Sequence, residues 1–86
     1  MINSKMKPFL TLQQFILKQE VKNLYREIFK TIRKVPGKSH QNELKEWARR
    51  DFRANADVLD ELTIRMHINY GKRCLKELQN SLALSG

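Results

Sequence analysis

An all-α fold, an antiparallel three-helix bundle, is what these 86 residues predict, and three observations carry the prediction. Apolar residues recur at three- and four-residue steps along three separate stretches, the spacing that gathers them on one helix face. Only three Gly and two Pro interrupt the chain, too few for the many tight turns of a β fold. The breaks between stretches are short, and short connections leave consecutive helices antiparallel neighbours. A chain of this length builds one core and no second domain.

Thr11-Leu12-Gln13-Gln14 has the form of a capping box and starts the first helix. Leu17, Val21, Leu24, Ile28, Ile32 and Val35 then share one face until Pro36-Gly37 stops it. The second helix begins near Ser39 and carries Leu44, Trp47, Ala48 and Phe52 on one side. Asn55-Ala56-Asp57 breaks it, and Asp57 or Asp60 caps the third helix. That helix runs from about Leu59 to Leu84 with Ile64, Ile68, Gly71, Leu75, Leu78 and Leu82 inward. Residues 1–10 are expected to form a flexible N-terminal segment and residues 11–84 the single domain. Gly71 breaks an otherwise apolar row at a cost of about 1 kcal/mol relative to Ala. It either permits close helix approach or keeps space in the core for something that is not protein.

All of the +8 net charge arises within residues 1–54; residues 55–86 are balanced. On the first helix, Lys18, Lys22, Arg26, Lys30 and Arg33 fall within roughly 120° of one another, a continuous basic stripe. Tyr25 sits at the seam between that stripe and the apolar face. Lys45, Arg49 and Arg53 form a second basic ridge, with Arg50 on the far side. Like charges at four-residue steps destabilise an isolated helix, so an anionic partner along them accounts for the stripe better than water alone. Asp51 falls by angle among Leu44, Trp47 and Ala48, where a carboxylate needs a partner; an Arg or Lys at the bundle edge is expected.

The chemistry of an enzyme is missing. His40 and His67 have no further ligand at metal-site spacing, and His67 reads as a solvated or edge histidine. There is no phosphate-binding glycine loop and no nucleophile elbow. The lone Cys74 cannot form an internal disulfide and reads as a semi-buried helix cysteine. No apolar run reaches the roughly 20 residues of a membrane span. No catalytic residue, metal ligand or directly bound cofactor is assigned.

Leu24-Tyr25-Arg26, followed by Trp47-Ala48-Arg49-Arg50-Asp51-Phe52-Arg53, resembles the LYR-motif (complex I LYR) family. Thr31-Ile32-Arg33, Thr63-Ile64-Arg65-Met66 and Leu75-Lys76-Glu77-Leu78 extend the similarity across residues 10–84. The resemblance implies a small mitochondrial matrix adaptor that binds the mitochondrial acyl carrier protein. The carrier's acyl chain, on its 4′-phosphopantetheine arm, would enter the bundle core. Such adaptors serve assembly of respiratory complexes, here complex I and the joining of its NADH-oxidising N-module. Carried onto this chain, the carrier-binding residues are Lys18, Lys22, Tyr25, Arg26, Lys45, Arg49, Arg50 and Arg53. The acyl-chain tunnel is Leu24, Ile28, Phe52, Ile68, Gly71 and Leu75. Ala56 departs from the Lys that many relatives carry there, so one carrier contact is either missing or supplied by a neighbour such as Lys45.

Two other readings start from the same residues. An adaptor for iron–sulfur cluster delivery would use the same tripeptide, read by a co-chaperone. A nucleic-acid-binding domain would use the basic surface, but homeodomain-like readers place Trp and Arg in the last helix. Here Trp47 and the arginines lie in the second.

Overall fold

A computed structural model describes residues 10–85 as three helices, α1 (Leu12–Ile32), α2 (Lys38–Ala54) and α3 (Glu61–Ser85). The fold is an all-α three-helix bundle. The expected N-terminal segment lies outside the described residues except for Leu10.

Local chemistry fixes where each helix begins. The Thr11 hydroxyl accepts from the Gln14 N–H at 3.0 Å, and Gln14 Oε1 accepts from the Thr11 N–H at 2.9 Å. This capping box satisfies two donors that would otherwise face water unpaired. Gln14 Nε2 also donates to the Leu59 carbonyl, tying the start of α1 to the segment before α3. Of the two candidate caps for α3, Asp60 is the one used: its Oδ2 accepts from the Thr63 N–H and hydroxyl.

α1 ends at Ile32, earlier than the apolar row suggested, so Val35 lies in the following turn and is only half-buried. Gly37, with φ 91°, supplies the left-handed conformation that turns the chain into α2.

Side-chain bonds give the topology. Gln41 of α2 donates to the Arg33 and Val35 carbonyls after α1, while Lys18 of α1 reaches the Ala56 carbonyl after α2. α2 therefore runs antiparallel to α1, and α3 returns alongside α1 in its direction.

The core is built on α1: Leu17, Val21, Leu24, Tyr25, Ile28 and Ile32 are buried together with Ala48, Ile64 and Ile68. Toward the end of α3, burial relaxes, with Leu75, Leu78 and Leu82 only half-buried. The reason is geometric: α2 and α3 both pack on α1, yet no Cα of α2 comes within 8 Å of one in α3.

Gly71 is explained by close approach. A Cβ on it would lie 2.6 Å from Leu24 Cδ2, so the Leu24 side chain fills the space that glycine leaves.

Candidate functional site

The gap between α2 and α3, floored by α1, holds two apolar cavities. The first, about 190 Å³, is bounded by Val21, Phe52, Val58 and Ile64, with Lys18 and Lys22 at its rim. The second, about 440 Å³, is bounded by Ile28, Ile32, Leu44, Trp47, Leu75 and Leu78, with Cys74 in its wall.

Between them stands a polar knot, built from one side chain of each helix. Tyr25 is 4% exposed, and its hydroxyl donates to Asp51 Oδ2. His67 Nε2 lies 2.9 Å from the same hydroxyl oxygen and 3.0 Å from the same carboxylate oxygen. With the phenolic proton committed to Asp51, Nε2 carries the hydrogen and donates to both oxygens. Phe52 closes over the knot, its ring edge-on to Tyr25 with centroids 5.1 Å apart. Burial and the Asp51 carboxylate push the Tyr25 hydroxyl far above the ordinary phenol range. Tyr25 stays protonated and serves as a donor, not as a base.

This geometry corrects two expectations. Asp51 does have the partner its inward position demanded, but it is Tyr25 with His67, not an Arg or Lys. His67 is no solvated edge residue, since its side chain is 10% exposed. The signal was in the spacing: His67 follows Ile64 by three and precedes Gly71 by four, on the same inward row.

The expected carrier-binding residues divide into groups. Lys18 and Lys22 rim the first cavity. Arg26, Lys45 and Arg49 line a separate open cleft between α1 and α2, joined there by Phe29, Lys30 and Arg33. Arg49 lies over the Phe29 ring at 5.9 Å, and its nearest carboxylate is Glu46 at 3.9 Å. Arg50 and Arg53 are exposed on α2, and Tyr25 is interior.

Lys45 does not lie beside residue 56: about 13 Å of α2 separate it from Ala54, and Ala56 lies in the turn beyond. The cation beside Ala56 is Lys18, whose Nζ donates to its carbonyl at 2.6 Å.

The expected tunnel residues also divide. Phe52 belongs to the first cavity, and Ile28 and Leu75 to the second. Leu24, Ile68 and Gly71 are packed core positions that border neither.

Among the described residues, no group of His, Cys, Asp and Glu could hold a metal ion, and no helix is long and apolar enough to cross a membrane. Cys74 is half-buried.

No solved structure matches the chain. LYR motif-containing protein 2 of Homo sapiens is 51% identical over 76 residues, which cover 88% of this chain and 86% of the relative. Its Bos taurus counterpart is 46% identical over 86 residues, covering 99% and 98%. The Danio rerio protein of the same name is 46% identical over 77 residues, covering 90% and 88%. The family model described as Complex 1 protein (LYR family) matches residues 19–77. That match spans most of α1, all of α2 and much of α3, and with it the knot and most of the lining of both cavities: the chain belongs to the Complex 1 LYR family.

Proposed function

We propose that this protein is a non-enzymatic mitochondrial matrix adaptor that binds acylated acyl carrier protein and assists respiratory complex I assembly, at the stage where the N-module joins. Family membership supports the link to complex I. The single observation that favours an acyl ligand is the pair of apolar cavities between α2 and α3, the first entered past Lys18 and Lys22. In this reading the carrier's acidic surface meets those two lysines and Arg53, and the phosphopantetheine arm delivers the chain into the first cavity.

The energetics divide the labour. Burying an aliphatic chain contributes about 0.8 kcal/mol per CH₂. Exposed ion pairs contribute roughly 0.2–1 kcal/mol each and act mainly on encounter rate and partner choice. Acylated carrier therefore binds much more tightly than the unacylated form.

The test is co-purification from mitochondria with intact mass spectrometry, comparing wild type with Lys18→Glu/Lys22→Glu. Both substitutions fall on rim positions, so the helices survive them. Recovery of an acyl-phosphopantetheine protein with wild type and its loss with the variant is the expected result. Equal recovery, or none with wild type, rejects the reading.

A further inference from the structure

We propose that Tyr25, Asp51 and His67 form a polar partition that divides the acyl-binding space into a proximal and a distal chamber, and that these three residues thereby determine which chain lengths are accepted. This rests on the acyl-carrier reading above.

The position of the knot is the first argument. Each helix gives residues to both cavities, and in each the knot residue lies at or beside the boundary. On α1, Val21 lines the first cavity and Ile28 the second, with Tyr25 midway. On α2, Phe52 lines the first and Trp47 the second, with Asp51 between them. On α3, Ile64 lines the first and Cys74 the second, and His67 forms the inner end of the first. The two cavities share no lining residue.

The chemistry of the knot is the second. A hydrocarbon chain cannot replace any bond that the hydroxyl, carboxylate and imidazole make with one another. Pushing them apart leaves the nearly enclosed Tyr25 hydroxyl and His67 imidazole unpaired, which is costly, whereas Asp51, its side chain 23% exposed, can turn to water. Chains short enough to end in the proximal chamber leave the partition closed. Longer chains must displace it before their ends reach the larger distal chamber, which is more open to solvent and has Glu77 and Ser81 at its margin. The freedom to do so is present, since the backbones of α2 and α3 stay apart and the Asp51–His67 bond spans the gap between them.

Such a divided site has a signature. Affinity should rise steadily with each methylene until the chain meets the partition, stall over the next few, then rise again. An undivided tunnel gives one uninterrupted slope.

The experiment titrates the protein with carrier bearing hexanoyl to tetradecanoyl chains, and in parallel follows alkylation of Cys74 by N-ethylmaleimide. Cys74 is the chain's only cysteine and lies in the distal wall, so it reports occupancy of that chamber alone. Tetradecanoyl carrier should slow alkylation at least tenfold, and hexanoyl carrier should leave it unchanged. In Tyr25→Phe and His67→Phe the stall should shrink, and shorter chains should begin to protect Cys74. Melting curves establish that each variant is folded. An uninterrupted slope in wild type, equal protection by short and long chains, or a stall unchanged in folded variants overturns the partition. Absence of carrier binding at every length defeats the carrier reading instead. Free fatty acids of the same lengths, scored by Cys74 protection, then test the partition without the carrier.

Discussion

Leu24 Cδ2 lies where a side chain on Gly71 would begin, 2.6 Å from the position of its Cβ. That contact sets how closely α3 approaches α1, and two opposing terms decide what a substitution does. Alanine in place of a mid-helix glycine gains about 1 kcal/mol of helix propensity, whereas overpacking a buried contact costs about 1–3 kcal/mol. The clash is with the end of a flexible side chain, so Gly71→Ala should be destabilising by only about 1 kcal/mol, and Gly71→Leu by several times more. The Leu24→Ala/Gly71→Ala double variant should be more stable than the sum of the single effects predicts. Urea unfolding of the four proteins checks this; strict additivity would show that the two residues do not touch.

The knot gives stability an alkaline edge. The folded Tyr25 hydroxyl ionises far above its unfolded value of 10.0, so its contribution is fully present below pH 10 and is lost as pH rises beyond it. Tyr25→Phe should be less stable at neutral pH by about 1–3 kcal/mol, because Asp51 and His67 lose a partner. Its melting temperature should then fall less steeply than that of wild type above pH 10. Parallel alkaline profiles for the two proteins would contradict the assignment.

The Asp60 cap gives an acidic edge. Hydrogen bonds from the Thr63 hydroxyl and N–H hold the Asp60 carboxyl below its ordinary 3.8. Its contribution is present above that value and fades as pH falls through the lower folded pKa. Asp60→Ala should lower the melting temperature at neutral pH and cease to differ from wild type in strong acid. Circular dichroism melts across the acid range read this directly.

Thr11→Ala removes the hydroxyl that receives the Gln14 N–H and should cost about 1 kcal/mol. Gln14 also holds the Leu59 carbonyl at 3.0 Å. Hydrogen exchange should therefore speed up at the start of α3 as well as at the start of α1. Acceleration confined to α1 would mean that Gln14 does not couple the two ends.

Binding through the lysine rim should depend on salt, because exposed charges are screened within about 8 Å at physiological ionic strength. Raising the salt should slow association with acylated carrier while leaving its dissociation nearly unchanged, as seen by stopped-flow fluorescence of Trp47. A dissociation rate that climbs as steeply as association slows would assign the charges a larger share of the affinity.

What the sequence made legible is what is local. The Thr11–Gln14 cap and the row from Leu17 to Ile32 need only neighbours within a turn or two, and spacing alone exposes them. Asp51 was visible as a misplaced carboxylate, because one helix's angles suffice to place it inward. Its partners were not, since Tyr25 and His67 arrive from two other helices, and reading each helix alone leaves their meeting out of view. The same holds for the basic residues: a projection of α1 joins Lys18 to Arg33 in one stripe. Only the packing of α2 sends Arg26, Lys30 and Arg33 into a cleft apart from Lys18 and Lys22.

With α2 and α3 held apart, α1 acts as a hub with two spokes. Faults on the spokes should be largely independent: a weakened contact on the outer part of α2 and one on the far end of α3 sum without interplay. A fault on the hub is felt on both sides at once, because Leu24 meets α3 while Tyr25 grips both neighbours. Tolerance to mutation should therefore be lowest on α1, and the short crossing from Asp51 to His67 should be where changes on the two spokes cease to be independent.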